Sequence, residues 1–211
     1  MKNAPHKKLF LVISAILLSA TASYASCNAP LVGDQFDQRV NQGDINQPLF
    51  NSAVLHFTNQ IRCRRGMTIL STTQGVLDAA AVHATTSAST LTYSHRLPTR
   101  SVATLRDRLR RSNASYRAAG ENIAKTFVYA LNGRGYIPSS SCNFRYLSNN
   151  QPIPVHTYRT LAKEVVDSWE GSPKHLDNIL NRRYARMGAG LGIVNNTPLC
   201  GELYATQVFT N

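Results

Sequence analysis

Three residues carry the best case for chemistry in this chain. They are His95 in Tyr93-Ser94-His95, Glu121 in Gly120-Glu121-Asn122-Ile123, and His175 in the run from Ser172 to Leu180 (Ser-Pro-Lys-His-Leu-Asp-Asn-Ile-Leu). Two imidazoles that converge can bind a divalent ion, because neutral histidine is the commonest side-chain metal ligand. A catalytic zinc usually takes three protein ligands plus water. His95 and His175, with Glu121 bound directly or through water, would barely meet that count. Without a metal, Glu121 could serve as a base and a histidine as an acid, but no nucleophile declares itself. Ser94 beside His95 and Ser172 near His175 are the candidates. Side chains adjacent in sequence rarely face one another, which weighs against a Ser–His pair.

Each of these residues also has a purely structural reading. Glu121 can be a buried carboxylate that bonds both histidines and ties a sheet to its helices. His175 can open a short turn oriented by Asp177, and Asn122 and Asn178 can satisfy backbone groups in tight loops. Trp169 reads as a core anchor. His56, His83 and His156 lack motif context and read as surface or core-edge positions.

The elements that must position these groups follow from periodicity. Leu49, Ala53, Phe57 and Ile61 recur every four residues from Pro48, the stripe of an amphipathic helix. A second helix is expected from about Thr72, with Leu77, Ala81, Ala84 and Ala88 forming a small-residue face that implies close packing on something flat. Ser101 to Arg111 reads as a short basic helix, with Val102, Leu105 and Leu109 inward and Arg106, Arg108, Arg110 and Arg111 mostly outward. A strand is expected near 122–129, a long loop over 133–154, and a further helix from the spacing of Leu161, Val165 and Trp169. In the tail, Met187, Ala189, Leu191 and Ile193 alternate, as do Leu203, Ala205, Gln207 and Phe209, across a turn at 195–198. That is a terminal β-hairpin. The order predicts an α+β fold, an antiparallel sheet covered by helices. Gly188, Gly190 and Gly192 would keep one strand face small for close approach.

The chain has 211 residues and a formal net charge of +12, with 43% hydrophobic and 16% charged residues. That excludes a disordered or collagen-like protein and allows one domain. Lys7-Lys8, the apolar run Leu9–Leu18, and Ser23 and Ala25 at the −3 and −1 positions read as a signal peptide over residues 1–25. Cleavage after Ala25 removes Lys2, Lys7 and Lys8 and no acid, which lowers the charge from +12 to +9. The expected location is secreted or periplasmic, with no transmembrane helix in the mature chain. Residues 26–47 read as an extended arm and 48–211 as the domain. Cys27, Cys63, Cys142 and Cys200 are even in number in an export-routed chain, which favours two disulfides over acylation of Cys27 as a lipoprotein. Of the three connectivities, Cys27–Cys63 with Cys142–Cys200 is favoured, the first tying the arm to the opening helix; the others stay open. The cluster Arg106, Arg108, Arg110, Arg111 and Arg117 reads as a solvated face or as a surface for anionic envelope components. Nucleic acid is not an expected partner.

Taken together, Tyr93-Ser94-His95, Ala119-Gly120-Glu121-Asn122-Ile123-Ala124, the segment Trp169–Leu180, Met187-Gly188-Ala189-Gly190 and Thr206-Gln207-Val208-Phe209 resemble the CAP superfamily. That family comprises cysteine-rich secretory proteins, antigen 5 and pathogenesis-related proteins, and the match is nearest its bacterial branch. The resemblance covers about residues 48–211. It implies an α-β-α sandwich (the CAP or SCP fold) and a cleft to which His95, Glu121 and His175 contribute. Ser172 stands where many eukaryotic members carry a second glutamate. It also implies a non-enzymatic extracellular binding module for a lipid, sterol-like, envelope or host ligand, with no required cofactor. An exchangeable divalent cation such as zinc on His95 and His175 is an option. The alternative is a metal-assisted hydrolase using His95, Glu121 and His175.

Overall fold

A computed structural model describes residues 27–40 and 43–211. The expected signal peptide lies outside the described residues. The first helix, α1 (Gln47–Arg64), begins where Asn46 accepts a hydrogen bond from the Leu49 amide and Pro48 sits in the first turn. Helix α2 spans Gln74–Ser89. The basic segment divides into a 3-10 turn at Arg100–Val102 and helix α3 (Leu105–Arg111). The division falls at Thr104, whose side chain and that of Asp107 form a reciprocal capping box that fixes the start of α3. Strand β1 is Ala119–Phe127. The expected loop contains a short hairpin, β2 (Tyr136–Ile137) and β3 (Arg145–Tyr146). Helix α4 (Tyr158–Glu170) opens with a second capping box, Thr157 and Thr160, and leads into α5 (Pro173–Ile179). Strands β4 (Arg186–Val194) and β5 (Glu202–Thr210) form the expected hairpin.

The main sheet has the order β1-β5-β4 and is antiparallel throughout. Strand alternation divides it into two faces. Met187, Ala189, Leu191, Leu203, Ala205 and Phe209 join Phe50, Ile61, Leu161, Val165 and Trp169 in the larger core, under α1 and α4. Val208 packs with Val76, Ala79, Ala80 and Leu109 on the other side, under α2 and α3. The arrangement is therefore an α-β-α sandwich. Its second layer depends on β4 glycines: a Cβ on Gly188 would lie 2.5 Å from the backbone of Val76 and Leu77, and one on Gly190 would strike Ala81. The alanine face of α2 can lie on the sheet because those β4 positions carry no side chain.

Two disulfides match the favoured pairing. Cys27–Cys63 ties the arm to α1, and Cys142–Cys200 ties the segment after β2 to the turn before β5. The latter closes a satellite core of Leu131, Phe144, Tyr146 and Ile153. The arm is not merely extended. It makes a 3-10 turn at Asp34–Asp37, buries Phe36 and Val40, and is clamped by Arg159, which pairs with Asp37 and donates to the carbonyls of Leu31 and Gly33. Among the described residues, no helix is long and apolar enough to cross a membrane.

Candidate functional site

Glu121 sits on β1 opposite Val208, so its side chain points to the α2/α3 face, while Asn122 turns to the other face and bonds Gln207. Glu121 is buried at 8% exposure, and both its oxygens are taken. Oε1 lies 2.9 Å from Nδ1 of His95, and Oε2 accepts from Nη2 of Arg108 at 2.6 Å. Burial alone would push this carboxyl up. The His95 hydrogen bond, the neighbouring His83 and the Arg108 guanidinium more than offset that, and Glu121 lies below the ordinary glutamate value.

Arg108 is the main correction to the sequence reading. Expected to face mostly outward, it is fully buried. Besides Glu121 it donates to the carbonyl of Val102 and reaches that of His95 at 3.5 Å, so it also steadies the loop that carries His95. His83, expected at the surface or core edge, is buried inside this group at 1% exposure. Its Nε2 lies 3.1 Å from the Ser94 carbonyl, an obligate acceptor, so Nε2 carries the proton and Nδ1 accepts from the Thr206 hydroxyl at 2.7 Å. Nε2 is also 3.8 Å from Glu121 Oε1. Burial holds His83 below the usual histidine value, with Glu121 opposing.

His95 is the exposed member, its side chain 58% accessible. With Nδ1–H donating to Glu121, Nε2 is the nitrogen left for a ligand. His175, on the first turn of α5, is half-buried, and its Nδ1 is enclosed without a partner. Burial, chiefly, holds it below the ordinary histidine value. Asn122 and Asn178 dock α5 against β1: Asn122 donates to the His175 carbonyl, and Asn178 donates to the Glu121 carbonyl and to the Asn122 side chain. They satisfy backbone groups as expected, but between two elements and not inside loops. Ser94 accepts from the Arg96 amide through its hydroxyl, and Ser172 is the N-cap residue of α5 without a capping hydrogen bond. Neither hydroxyl is hydrogen-bonded to His95 or His175.

The donor set does not make a catalytic zinc site. Glu121 acts as the partner that orients His95, a role carboxylates often take behind a metal-binding imidazole. Two imidazoles remain, one short of three ligands. Among the described residues, no group of three or more His, Cys, Asp and Glu is placed to hold a metal ion.

A second concavity, of about 920 Å³, lies between the arm, α1, α4 and the segment 130–155. Leu31, Phe57, Tyr146, Pro154 and Val155 make it largely apolar, and Arg134, Arg159 and Lys163 also line it. Buried His156 lies beneath, its Nε2 3.0 Å from Oε2 of Glu164 and bent off the hydrogen-bonding axis, while Thr126 donates to Oε1 of the same carboxylate.

A family model described as the cysteine-rich secretory protein family, CAP, matches residues 55–209. The chain belongs to the CAP family. No curated protein sequence matches this CAP chain. Among solved structures it is similar to an extracellular SCP-domain protein of Bacillus anthracis, at 23% identity and a TM-score of 0.53, over 87% of this chain and 45% of that one. It is also similar to a cysteine-rich secretory protein of Staphylococcus aureus (18% identity, TM-score 0.44, 78% of this chain and 39% of that one). An outer surface protein of Borrelia burgdorferi gives 14% identity and a TM-score of 0.49, over 82% of this chain and 97% of that one. The chain spans less than half the length of the first two. At 23% identity the likeness to the Bacillus anthracis protein is one of fold.

Proposed function

We propose that this CAP protein is an extracellular binding module that holds an amphipathic lipid without turning it over. The observation that carries the reading is the state of Glu121. A general base needs a lone pair within reach of substrate, and Glu121 is buried at 8% exposure with each oxygen held by a partner, His95 or buried Arg108. The cleft thus offers oriented hydrogen-bonding groups and no bonded Ser–His pair. The apolar concavity supports the ligand class: its size falls within the range of small-molecule sites, with mostly apolar walls and a few charged groups. Two disulfides suit an oxidising compartment, in keeping with a secreted or periplasmic location.

The test is a fluorescence titration with 11-(dansylamino)undecanoic acid. Saturable binding is expected for the wild type and for His95→Ala, and its loss in Val155→Arg, which fills the concavity. Absence of saturable binding, or equal binding by Val155→Arg, overturns the proposal. The second reading, a metal-assisted site, rests on Nε2 of His95, left over by the bond of Nδ1 to Glu121, and on the enclosed, unpartnered Nδ1 of His175. It predicts weak, exchangeable zinc binding that fades at acid pH as His175, held below the ordinary histidine value by burial, gains its proton. Equal calorimetric heats from wild type and His175→Ala rule it out.

A further inference from the structure

Charge is strongly segregated along this chain. Between Asp78 and Glu164 the sequence has twelve Lys and Arg but only two acids, Asp107 and Glu121. Only Asp107 reaches one of the surface arginines. Glu121 is buried against Arg108, and Asp107 is spent on the Thr104 cap and on Arg110. What remains outward are Arg96, Arg100, Arg106, Arg110, Arg111 and Arg117, all exposed. They lie in the loop that carries His95, on α3, and on the approach to β1. The buried Arg108–Glu121 pair and the Thr104 cap hold that scaffold fixed, so the charges stand on a rigid base.

The type of cation narrows the partner. Beyond residue 26, arginine outnumbers lysine 17 to 3. A planar guanidinium presents a fork of donors that matches phosphate oxygens in pairs, whereas an ammonium acts as a point charge. Just ahead of these arginines in sequence two large side chains are exposed, Leu91 at 65% and Tyr93 at 53%, the latter with its hydroxyl turned in to the Ile123 carbonyl. Exposed guanidinium groups in one segment with an exposed aliphatic and an exposed aromatic residue suit a surface that is phosphate outside and apolar just beneath. From this combination we infer that the exposed arginines of residues 96–117 dock the protein on an anionic phospholipid surface. The inference is independent of the apolar concavity, whose residues it does not use.

The experiment is vesicle co-sedimentation of the full secreted chain with phosphatidylcholine alone and with about 30% phosphatidylglycerol added. Binding is expected only to the anionic vesicles, and it should weaken as salt rises from ~0.05 to ~0.5 M. Arg106→Glu/Arg110→Glu/Arg111→Glu should lower the partition constant by roughly a hundredfold or more. A charge-matched control, Arg65→Glu/Arg182→Glu/Arg183→Glu, should retain most of it, and both variants should still bind the dansyl fatty acid. Equal binding to neutral vesicles, or equal losses in both triple variants, overturns the inference. So does competition by inorganic phosphate without vesicle binding, which makes a free anion the ligand. Retention on heparin without vesicle binding would instead indicate a polysaccharide.

Discussion

Arg108→Met is the sharpest perturbation of the cleft. The side chain is fully buried and supplies, among the described residues, the only guanidinium bonded to Glu121, itself buried at 8% exposure. Methionine keeps most of the volume and removes the charge, stranding a carboxylate in a low-dielectric site. Breaking a buried pair from one side costs about 3–5 kcal/mol. For a domain of this size, each kcal/mol moves Tm by about 2–4 °C, so a drop of roughly 6–20 °C is expected. The pH dependence is diagnostic. In the wild type the Glu121 carboxyl lies below its unfolded value of about 4.3. Its contribution is complete above that pH and is lost as pH falls through the depressed folded value. In Arg108→Met, burial is opposed only by His95 and His83, and the carboxyl rises from its wild-type value. The deficit is then greatest near neutrality and shrinks as pH falls towards about 4.3. Urea unfolding at pH 7 and pH 5 measures both effects. Arg108→Met/Glu121→Gln, which removes both charges, should recover a large part of the loss. A deficit under about 1 kcal/mol, or one that does not shrink at pH 5, refutes the reasoning.

Three further outcomes follow from the packing. Gly190→Ala drives a Cβ into the Ala80–Ala81 backbone of α2 and should cost about 1–3 kcal/mol in urea unfolding, an overpacking penalty. Cys142→Ser/Cys200→Ser opens a loop of 58 residues and should cost about 2–4 kcal/mol, read as a lower urea midpoint. Buried His83 is held below its unfolded value, so it costs stability as pH falls below about 6.5, where the unfolded imidazole charges first. His83→Gln should flatten the stability profile between pH 6.5 and 5, and an unchanged slope in thermal melts would contradict its burial.

The layered fold was legible because period and composition agree. The four-residue stripe on α1, the alanines of α2 and the alternation of β4 and β5 each have one physical solution. The glycines at 188, 190 and 192 and the alanine face of α2 are two halves of one contact, and both halves were visible. In the cleft, His95 and Glu121 could be read from motifs, and their contact is there. Arg108 and His83 were not seen, because a pair across 13 or more residues leaves no periodic trace. A signal did exist for Arg108. At about 100° per residue it lies only about 60° around α3 from Leu105, on the apolar arc with Leu109. Similarly, His83 lies seven residues after Val76 and three after Ala80, on the stripe that faces the sheet. The split at Thr104 was also readable, since Thr-x-x-Asp is a capping pattern, but the arginine run masked it.

The most direct test of a lipid-binding protein whose His95–Glu121 cleft does not turn ligand over is hydrolysis of p-nitrophenyl butyrate by the purified protein, with and without added zinc. The Glu121 ion pair predicts the same rate for wild type, His95→Ala and His175→Ala, all at the level of a denatured control. Turnover by the wild type that disappears in both alanine variants would contradict the account and make the cleft an active site.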